Sequence, residues 1–432
     1  MDDLVSGSAL FGRGDELSER SVLVAMKDQL ATASVLIELD GIARRIVLCP
    51  PDLPIEHFPY VIRTAGIDAI VSDRNGYSME TAGPMYFSPC SRKLIPADHN
   101  GDPIHQTEWV LLTSGTTGQP KLVAHTLATL AGAIQRGSSE KPIIWSTFYD
   151  IRRYGGLQIL LRALLTGASL VFSGSHEPTS DFIARAASRG VTHISGTPSQ
   201  WRRALMSSSA SLLKPEYVRL SGEVVDQAVL DKVRSTYPDA QIVHAFASTE
   251  AGVGFEVKDE LAGFSVAALS TTPGVEMKIE EGTLHIRSRR CADRYLAEHA
   301  PQLKDADGFV NTGDIIELRG ERCYFAGRRD GVINVGGLKV FPEEIEAVIN
   351  SHPEVLMSIV RAKRSPVTGS LVIADVVLQP GTQSSGYEPR AIQEDILLLC
   401  RQTLSAYKIP AAINIVPSLA VGESGKLTRA HA

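Results

Sequence analysis

The stretch Leu111-Leu112-Thr113-Ser114-Gly115-Thr116-Thr117-Gly118-Gln119-Pro120-Lys121 decides how this chain is read. Two apolar residues, read as the end of a strand, run into hydroxyl- and glycine-rich backbone and then a lysine. Apolar residues at 127, 130, 131 and 134 predict a helix beyond it. Glycines let main-chain N–H groups converge on an anion, hydroxyls add donors and the lysine adds charge, which together make a phosphate cradle. The order of residues does not fit the Walker A pattern G-x-x-x-x-G-K-[ST]. Composition alone would make this a flexible turn; the ordered string is far more specific.

Working outward, short apolar runs alternate with amphipathic segments. Ile46-Val47-Leu48-Cys49 and Ile67-Asp68-Ala69-Ile70-Val71 read as strands, with helical spacing across residues 56–63 between them. The alternation recurs as a helix at 157–165, a strand at 168–172, a helix at 181–189 and a strand at 191–195. Such alternation predicts a mostly parallel sheet covered by helices. From about residue 273 short alternating strands at 276–279, 283–287 and 314–318 predict a small β-rich subdomain. Beyond residue 330 the pattern is α+β: a helix at 342–350, strands at 358–361 and 373–378, and a helix at 389–404. The turn-rich residues 380–389 read as a loop.

The chain has 432 residues, and roughly 150 residues per domain predicts two or three domains. Lys and Arg total 43 against 49 Asp and Glu, a net charge of −6 with no long run of one sign, so no global field recruits nucleic acid. Phosphate must then be held by a local site. The cysteines Cys49, Cys90, Cys291, Cys323 and Cys400 are widely separated, with no C-x-x-C pair, and read as reduced, buried, small apolar residues. The first residues lack the charge and apolar run of a leader, and no apolar stretch approaches the ~18 residues of a membrane span. A cytoplasmic protein is the expectation.

Motifs in a fixed order carry a resemblance. The loop at 113–121 is similar to the T-S-G-T-T-G-x-P-K signature of the adenylate-forming (ANL) superfamily, which includes AMP-dependent acyl-CoA synthetases, adenylation domains and luciferases. Ala245-Phe246-Ala247-Ser248-Thr249-Glu250 resembles that family's Y-G-x-T-E segment, with Phe246 where Tyr is usual and Ala247 where Gly is usual. Asn311-Thr312-Gly313-Asp314 resembles Y-R-T-G-D, and Gly327-Arg328-Arg329-Asp330 resembles G-R-x-D. The stretch 332–346, with Gly336 and Gly337, resembles the opening of the family's small domain. Gly425-Lys426 resembles its terminal G-K motif. Singly, these strings read as a helix cap, strand turns and a solvated lysine; their order sets them apart.

The resemblance implies an α/β fold: a large N-terminal domain of αβ-layered sheets with a small β-rich subdomain, then a small mobile α+β C-terminal domain. It implies a large AMP-binding domain at 1–327, a hinge at 328–331 centred on Asp330 and a lid domain at 332–432. The part before the phosphate loop is shorter than is usual in the family. Implied roles place Thr113, Ser114, Gly115, Thr116, Thr117, Gly118 and Lys121 on the β- and γ-phosphates. Ala245, Phe246 and Ala247 lie along the adenine, Thr249 reaches the α-phosphate, and Glu250 holds Mg2+. Asp314 grips the ribose hydroxyls, a bidentate task suited to an ionised carboxylate. Arg328 sits near ribose and phosphate, Gly336 and Gly337 line the pantetheine tunnel, and Lys426 reaches the reacting carboxylate and the α-phosphate.

The activity implied is an AMP-forming carboxylate–CoA ligase using ATP, Mg2+ and coenzyme A on a small carboxylic acid. Two alternatives stand beside it: an adenylating enzyme that loads a carrier-protein pantetheine, and a nucleotide-binding regulatory paralogue without turnover. Trp145, Phe148 and Tyr149 point weakly to an aryl or medium-chain acid. His125 and His244 read as structural, Arg152 and Arg153 as a solvated helix face ahead of a site for an anionic substrate group or CoA phosphate, and Glu343, Glu344 and Glu346 as a solvated helix start. Oligomeric state stays open, a homodimer included.

Overall fold

A computed structural model describes residues 7–73, 86–97, 105–113, 119–135, 137, 141–174, 177–297, 300–365, 369–380, 389–420 and 426–427. The chain forms two compact units. The first comprises 1–178, 247–254 and 286–311, and the second 179–246, 255–285 and 312–432.

The first unit is built on β1 (Ser21–Val24), α1 (Gln29–Leu39), β2 (Arg45–Leu48), α2 (Phe58–Ala65), β3 (Ala69–Ser72), β4 (Tyr86–Pro89), β5 (Glu108–Thr113) and β6 (Lys121–Thr126). Among the described residues these strands lie in the order β6-β5-β2-β1-β3-β4, with the short strand Arg294–Tyr295 on the outer edge of β6. Pairing is parallel from β5 to β4 and antiparallel between β5 and β6. The central strands are buried on both faces, so they read as continuous Val/Ile/Leu runs. Val22, Val24, Ile46, Leu48 and Leu111 pack on one side, and Leu23, Val47, Val110 and Leu122 on the other.

Helix α1 starts where Asp28 caps the N–H of Ala31 at 2.8 Å. Helix α2 ends on Gly66 with φ of +59°, a left-handed conformation that glycine adopts without steric cost. The unit continues through α3 (Leu127–Ala131), β7 (Ile144–Thr147), α4 (Tyr154–Thr166) and β8 (Ser169–Val171), with β7 and β8 parallel.

The helix expected from residues 127, 130, 131 and 134 falls at Leu127–Ala131. A strand that the sequence reading does not mark, β6, precedes it and opens at Lys121. Leu122, Val123 and Ala124 are all buried, and that apolar run is satisfied as a strand whose ladder pairs Leu112 with Leu122 and Thr113 with Lys121.

The second unit begins with α5 (Thr179–Ser188), β9 (His193–Gly196), α6 (Pro198–Met206), β10 (Tyr217–Ser221), α7 (Gln227–Thr236) and β11 (Gln241–Ser248), whose strands run parallel. Helix α6 carries a full capping box, in which Thr197 and Gln200 satisfy each other's backbone N–H groups, and Pro198 occupies the first turn. A β-rich layer follows: β12 (Val275–Glu280), β13 (Thr283–Ser288), β14 (Val310–Arg319) and β15 (Arg322–Arg328), in the order β15-β14-β13-β12.

The chain then forms an α+β assembly of β16 (Ile333–Val335), β17 (Leu338–Val340), α8 (Pro342–Asn350), β18 (Val355–Ser365), β19 (Gly369–Leu378), α9 (Pro389–Thr403) and β20 (Ala412–Ile415). Ile345 and Ile349 of α8, Ile392 and Ile396 of α9, and Val360, Val372 and Val376 of the sheet form its core. The α/β layering, the β-rich layer and the small terminal α+β assembly match the fold class read from sequence. Cysteines 49, 291, 323 and 400 are buried thiols, whereas Cys90 is half-buried.

Candidate functional site

In the first unit, the connection at 114–120 hangs between the paired residues Thr113 and Lys121. Ser114, Gly115, Thr116, Thr117 and Gly118 lie outside the described residues. Thr113 closes β5, and its buried Oγ1 has no hydrogen-bond partner among the described residues. An orphaned hydroxyl at the root of a hydroxyl-rich loop fits an anionic oxygen, because a buried polar atom without a partner is otherwise costly.

Three strand positions from β6 lie on one face: Lys121, Val123 and His125. The Lys121 ammonium stands over the Tyr295 ring at 5.5 Å, and the Tyr295 hydroxyl lies 3.4 Å from Glu250 Oε1. Tyr295 therefore brings Lys121 and Glu250 to one place. No motif of the sequence marks Tyr295, which reaches this place by pairing with Val123 at the edge of β6.

The segment 248–251 is pinned residue by residue. Ser248 Oγ accepts from the Ala251 N–H at 2.9 Å, His125 Nε2 lies 2.7 Å from the Thr249 carbonyl, and the Ala292 N–H donates to the Glu250 carbonyl at 2.9 Å. His125 is completely buried, and burial drives its pKa down to about 4. It is thus neutral at physiological pH and structural, as expected. Gly252 follows in a left-handed conformation, φ +73°, where a Cβ would fall on the Arg290 carbonyl. Glu250 stays half-exposed, and no basic group is within ion-pairing distance of it among the described residues.

That donor set suits Mg2+ in one respect. Magnesium keeps several waters and is bound through one or two carboxylates together with substrate phosphates. Among the described residues no cluster of three or more His, Cys, Asp or Glu forms a self-sufficient metal cage. A half-exposed carboxylate linked to Lys121 only through Tyr295 has the accessibility that a metal shared with a nucleotide needs.

The second unit holds a separate cluster. Asp314, in β14, takes its main-chain position beside Thr312, whose Oγ1 accepts the Asp314 N–H at 3.1 Å. Burial pushes the Asp314 carboxyl up to about 6, opposed by the charge of Arg328, the Thr312 hydroxyl and the charge of Lys426, and reinforced by Glu343. Arg328 Nη2 donates to the Thr312 carbonyl at 3.4 Å. Lys426 is exposed.

Phe246 is half-buried and stacks on Phe325 at 5.3 Å and Phe255 at 5.7 Å, while Ala245 is buried beside Ser221. Ala247 is half-buried. Asp330 lies in a single turn of 3-10 helix, Arg329–Gly331. Gly336 and Gly337 form the two-residue connection of the β16–β17 hairpin, with φ of +58° and +88°, the double left-handed geometry of a type I′ turn.

Other readings are corrected. Arg152 is not on a solvated face: it is 1% exposed, pairs with Asp150 and donates to the Met26 carbonyl. Arg153 is half-buried against Asp52. The acidic residues of α8 are not simply solvated either. Glu346 is buried and accepts the Val360 N–H at 2.7 Å, and Glu344 pairs with Lys408 at 2.7 Å. Trp145 and Tyr149 are buried and Phe148 is half-buried. His244 is structural, bonding the Leu261 carbonyl at 2.9 Å. No described helix is long and apolar enough to cross a membrane.

Comparison with known proteins matches the geometry. Residues 45–289 match the family model of AMP-binding enzymes, and residues 344–426 match that of the AMP-binding enzyme C-terminal domain. The 2-succinylbenzoate–CoA ligase of Listeria monocytogenes serotype 4b (strain F2365) is 30% identical over 332 residues, covering 74% of this chain and 68% of the relative.

Among solved structures, an E. coli MenE variant with bound OSB-AMS superposes with a TM-score of 0.78 at 21% identity, covering 96% of this chain and 89% of that one. The anthranilate CoA ligase AuaEII in complex with anthranoyl-AMP gives 0.77 at 17% identity, covering 96% and 87%. The match at 45–289 spans more than half of the chain, which therefore belongs to the AMP-binding enzyme family.

Proposed function

We propose that this chain is an AMP-forming carboxylate–CoA ligase acting on an aryl carboxylic acid. The observation that carries the reading is the meeting of Lys121 and Glu250 at Tyr295, at the root of the phosphate loop. The named activities of relatives, a 2-succinylbenzoate–CoA ligase and an anthranilate CoA ligase, support the CoA acceptor and the aryl class.

A carboxylate is a poor acyl donor because charge and resonance protect its carbon. In the proposed first half-reaction the carboxylate oxygen attacks the α-phosphorus of ATP, the bond to the bridging oxygen breaks, and pyrophosphate leaves. The resulting acyl adenylate carries a good leaving group. In the second, the CoA thiol loses its proton and attacks the acyl carbon, and AMP departs. Negative charge gathers on phosphoryl oxygens in the first step, so prepositioned cations and donors contribute most of the rate enhancement.

Lys121, Thr113 and the residues 114–118 take the β- and γ-phosphates, Thr249 the α-phosphate, and Asp314 the ribose hydroxyls. Ala245, Phe246 and Ala247 flank the adenine, and Arg328 lies toward ribose and phosphate. Lys426 neutralises charge between the carboxylate and the α-phosphate. Mg2+ held at Glu250 supplies positive charge to phosphate oxygens. We assign 1–327 to the adenylation domain, 328–331 to the hinge at Asp330, and 332–432 to a lid whose Gly336–Gly337 turn borders the pantetheine path.

ATP–pyrophosphate exchange with aryl carboxylates, followed by addition of CoA or a pantetheinylated carrier protein, tests this. Exchange followed by acyl-CoA is expected. Acyl transfer only to the carrier would replace the acceptor, and no exchange with any acid would overturn the activity.

A further inference from the structure

Glu223 lies just beyond β10, in the turn leading to α7, and no motif of the sequence singles it out. Its two carboxylate oxygens each accept one main-chain N–H. Oε2 takes the Ser199 N–H in the first turn of α6 at 2.9 Å, and Oε1 takes the Leu427 N–H at 3.1 Å, across 204 residues of chain. Leu427 directly follows Lys426.

The second half of this contact is built around the same place. Arg202 pairs with Asp226 and donates to the Leu356 carbonyl at 3.4 Å; Asp226 also accepts from Asn350 Nδ2 at 3.4 Å. The Leu427 side chain packs with Leu356, Met357 and Val377. Beside it, the positive charge of Lys426 reaches Asp314.

We propose that Glu223 is a positioning residue for Lys426: it holds the backbone at Leu427 so that the lysine is delivered to the nucleotide during acid activation, and it lets go when the thiol step begins. The proposal rests on the assignment of Lys426 made above. A lysine loses much side-chain and backbone freedom when it is fixed at a phosphate. Fixing the very next N–H by a charge-assisted bond removes part of that loss in advance. The bond acts through Leu427 and so on Lys426, and its contribution therefore falls on the lysine-dependent step and not on the step from which the lysine is absent.

The test is Glu223→Gln in the full chain, which keeps the shape but turns one acceptor into a donor, with Glu223→Asp as a second variant that keeps the charge but is too short to reach both N–H groups. Three quantities are read: amide hydrogen exchange at residue 427, ATP–pyrophosphate exchange, and CoA thioester formation from supplied acyl adenylate. For both variants we expect faster exchange at residue 427 and about tenfold slower adenylation, with thioester formation within about twofold of the unsubstituted chain. Unchanged amide exchange at 427, or equal loss in both half-reactions, overturns the proposal. A wild-type chain that protects the 427 amide through Glu223 yet catalyses no pyrophosphate exchange would sink the enzymatic reading, and with it the role, while leaving the tie itself established.

Discussion

His125 Nε2 lies 2.7 Å from the carbonyl oxygen of Thr249, joining β6 to the turn that presents Glu250 across 124 residues of sequence. A neutral imidazole donating from Nε2 must accept at Nδ1, and Thr129 Oγ1 stands 2.9 Å from that nitrogen. Replacing His125 with Ala leaves the Thr249 carbonyl unpaired and opens a cavity, so a loss of about 2–4 kcal/mol is expected from denaturant titration.

The same imidazole predicts a pH dependence. Burial lowers its pKa from 6.5 to about 4. The unfolded chain takes up a proton below 6.5 while the native chain resists until about 4. Stability from this group is therefore complete above pH 6.5 and declines as pH falls toward 4, by about 3 kcal/mol over the window. The His125→Gln variant is expected to show a flatter stability profile between those pH values, measured by urea unfolding.

Asp314 shows the opposite sign. Burial raises its pKa from 3.8 to about 6, so the native state gains stability from holding the proton below 3.8 and loses it as pH rises through 6. Asp314→Asn is expected to stabilise the chain at pH 7.5 by about 1–2 kcal/mol, partial exposure being allowed for, while weakening ATP binding. The unsubstituted enzyme should lose adenylation activity below pH 6. A destabilised Asp314→Asn variant with unchanged ATP affinity would contradict both the environment and the role of this carboxylate.

Gly327, next to last in β15, has φ of +148°, and an added Cβ would fall on the Glu343 carboxylate. Gly327→Ala is expected to cost about 1–3 kcal/mol through backbone strain and overpacking. Truncating the obstacle with Glu343→Ala should recover the overpacking share only, which a double-mutant cycle of melting curves measures.

Lys426→Ala removes a cation from the first half-reaction. Loss of a preorganised group of this kind costs about 10²–10³ in rate, so adenylation should collapse while thioester formation from supplied acyl adenylate persists. Equal loss in both steps would exclude the assignment.

Much of the architecture was legible because strands buried on both faces and amphipathic helices write distinct periods into the sequence; helix α8 falls at Pro342–Asn350 as expected. The strand Lys121–Thr126 carried no signal of its own, because Leu122, Val123 and Ala124 form a short apolar run that suits either element and only the β5 partner decides it. Charged residues were the least legible. Arg152 is buried because Asp150, two residues before it, and the Met26 carbonyl, 126 residues away, satisfy its guanidinium, and Glu346 because the Val360 N–H meets it; the Met26 and Val360 partners leave no local signature. Tyr295 and Glu223 act through contacts 45 and 204 residues away, and for the same reason no motif marks them.

The central claim is that the chain activates an aryl carboxylic acid with ATP and passes the acyl group to CoA. Isotope exchange between pyrophosphate and ATP, run over a panel of aryl and aliphatic carboxylic acids and then chased with CoA, measures it most directly. Exchange that depends on an aryl acid and yields the acyl-CoA and AMP after the chase is expected; an absence of acid-dependent exchange across the panel would contradict this activity.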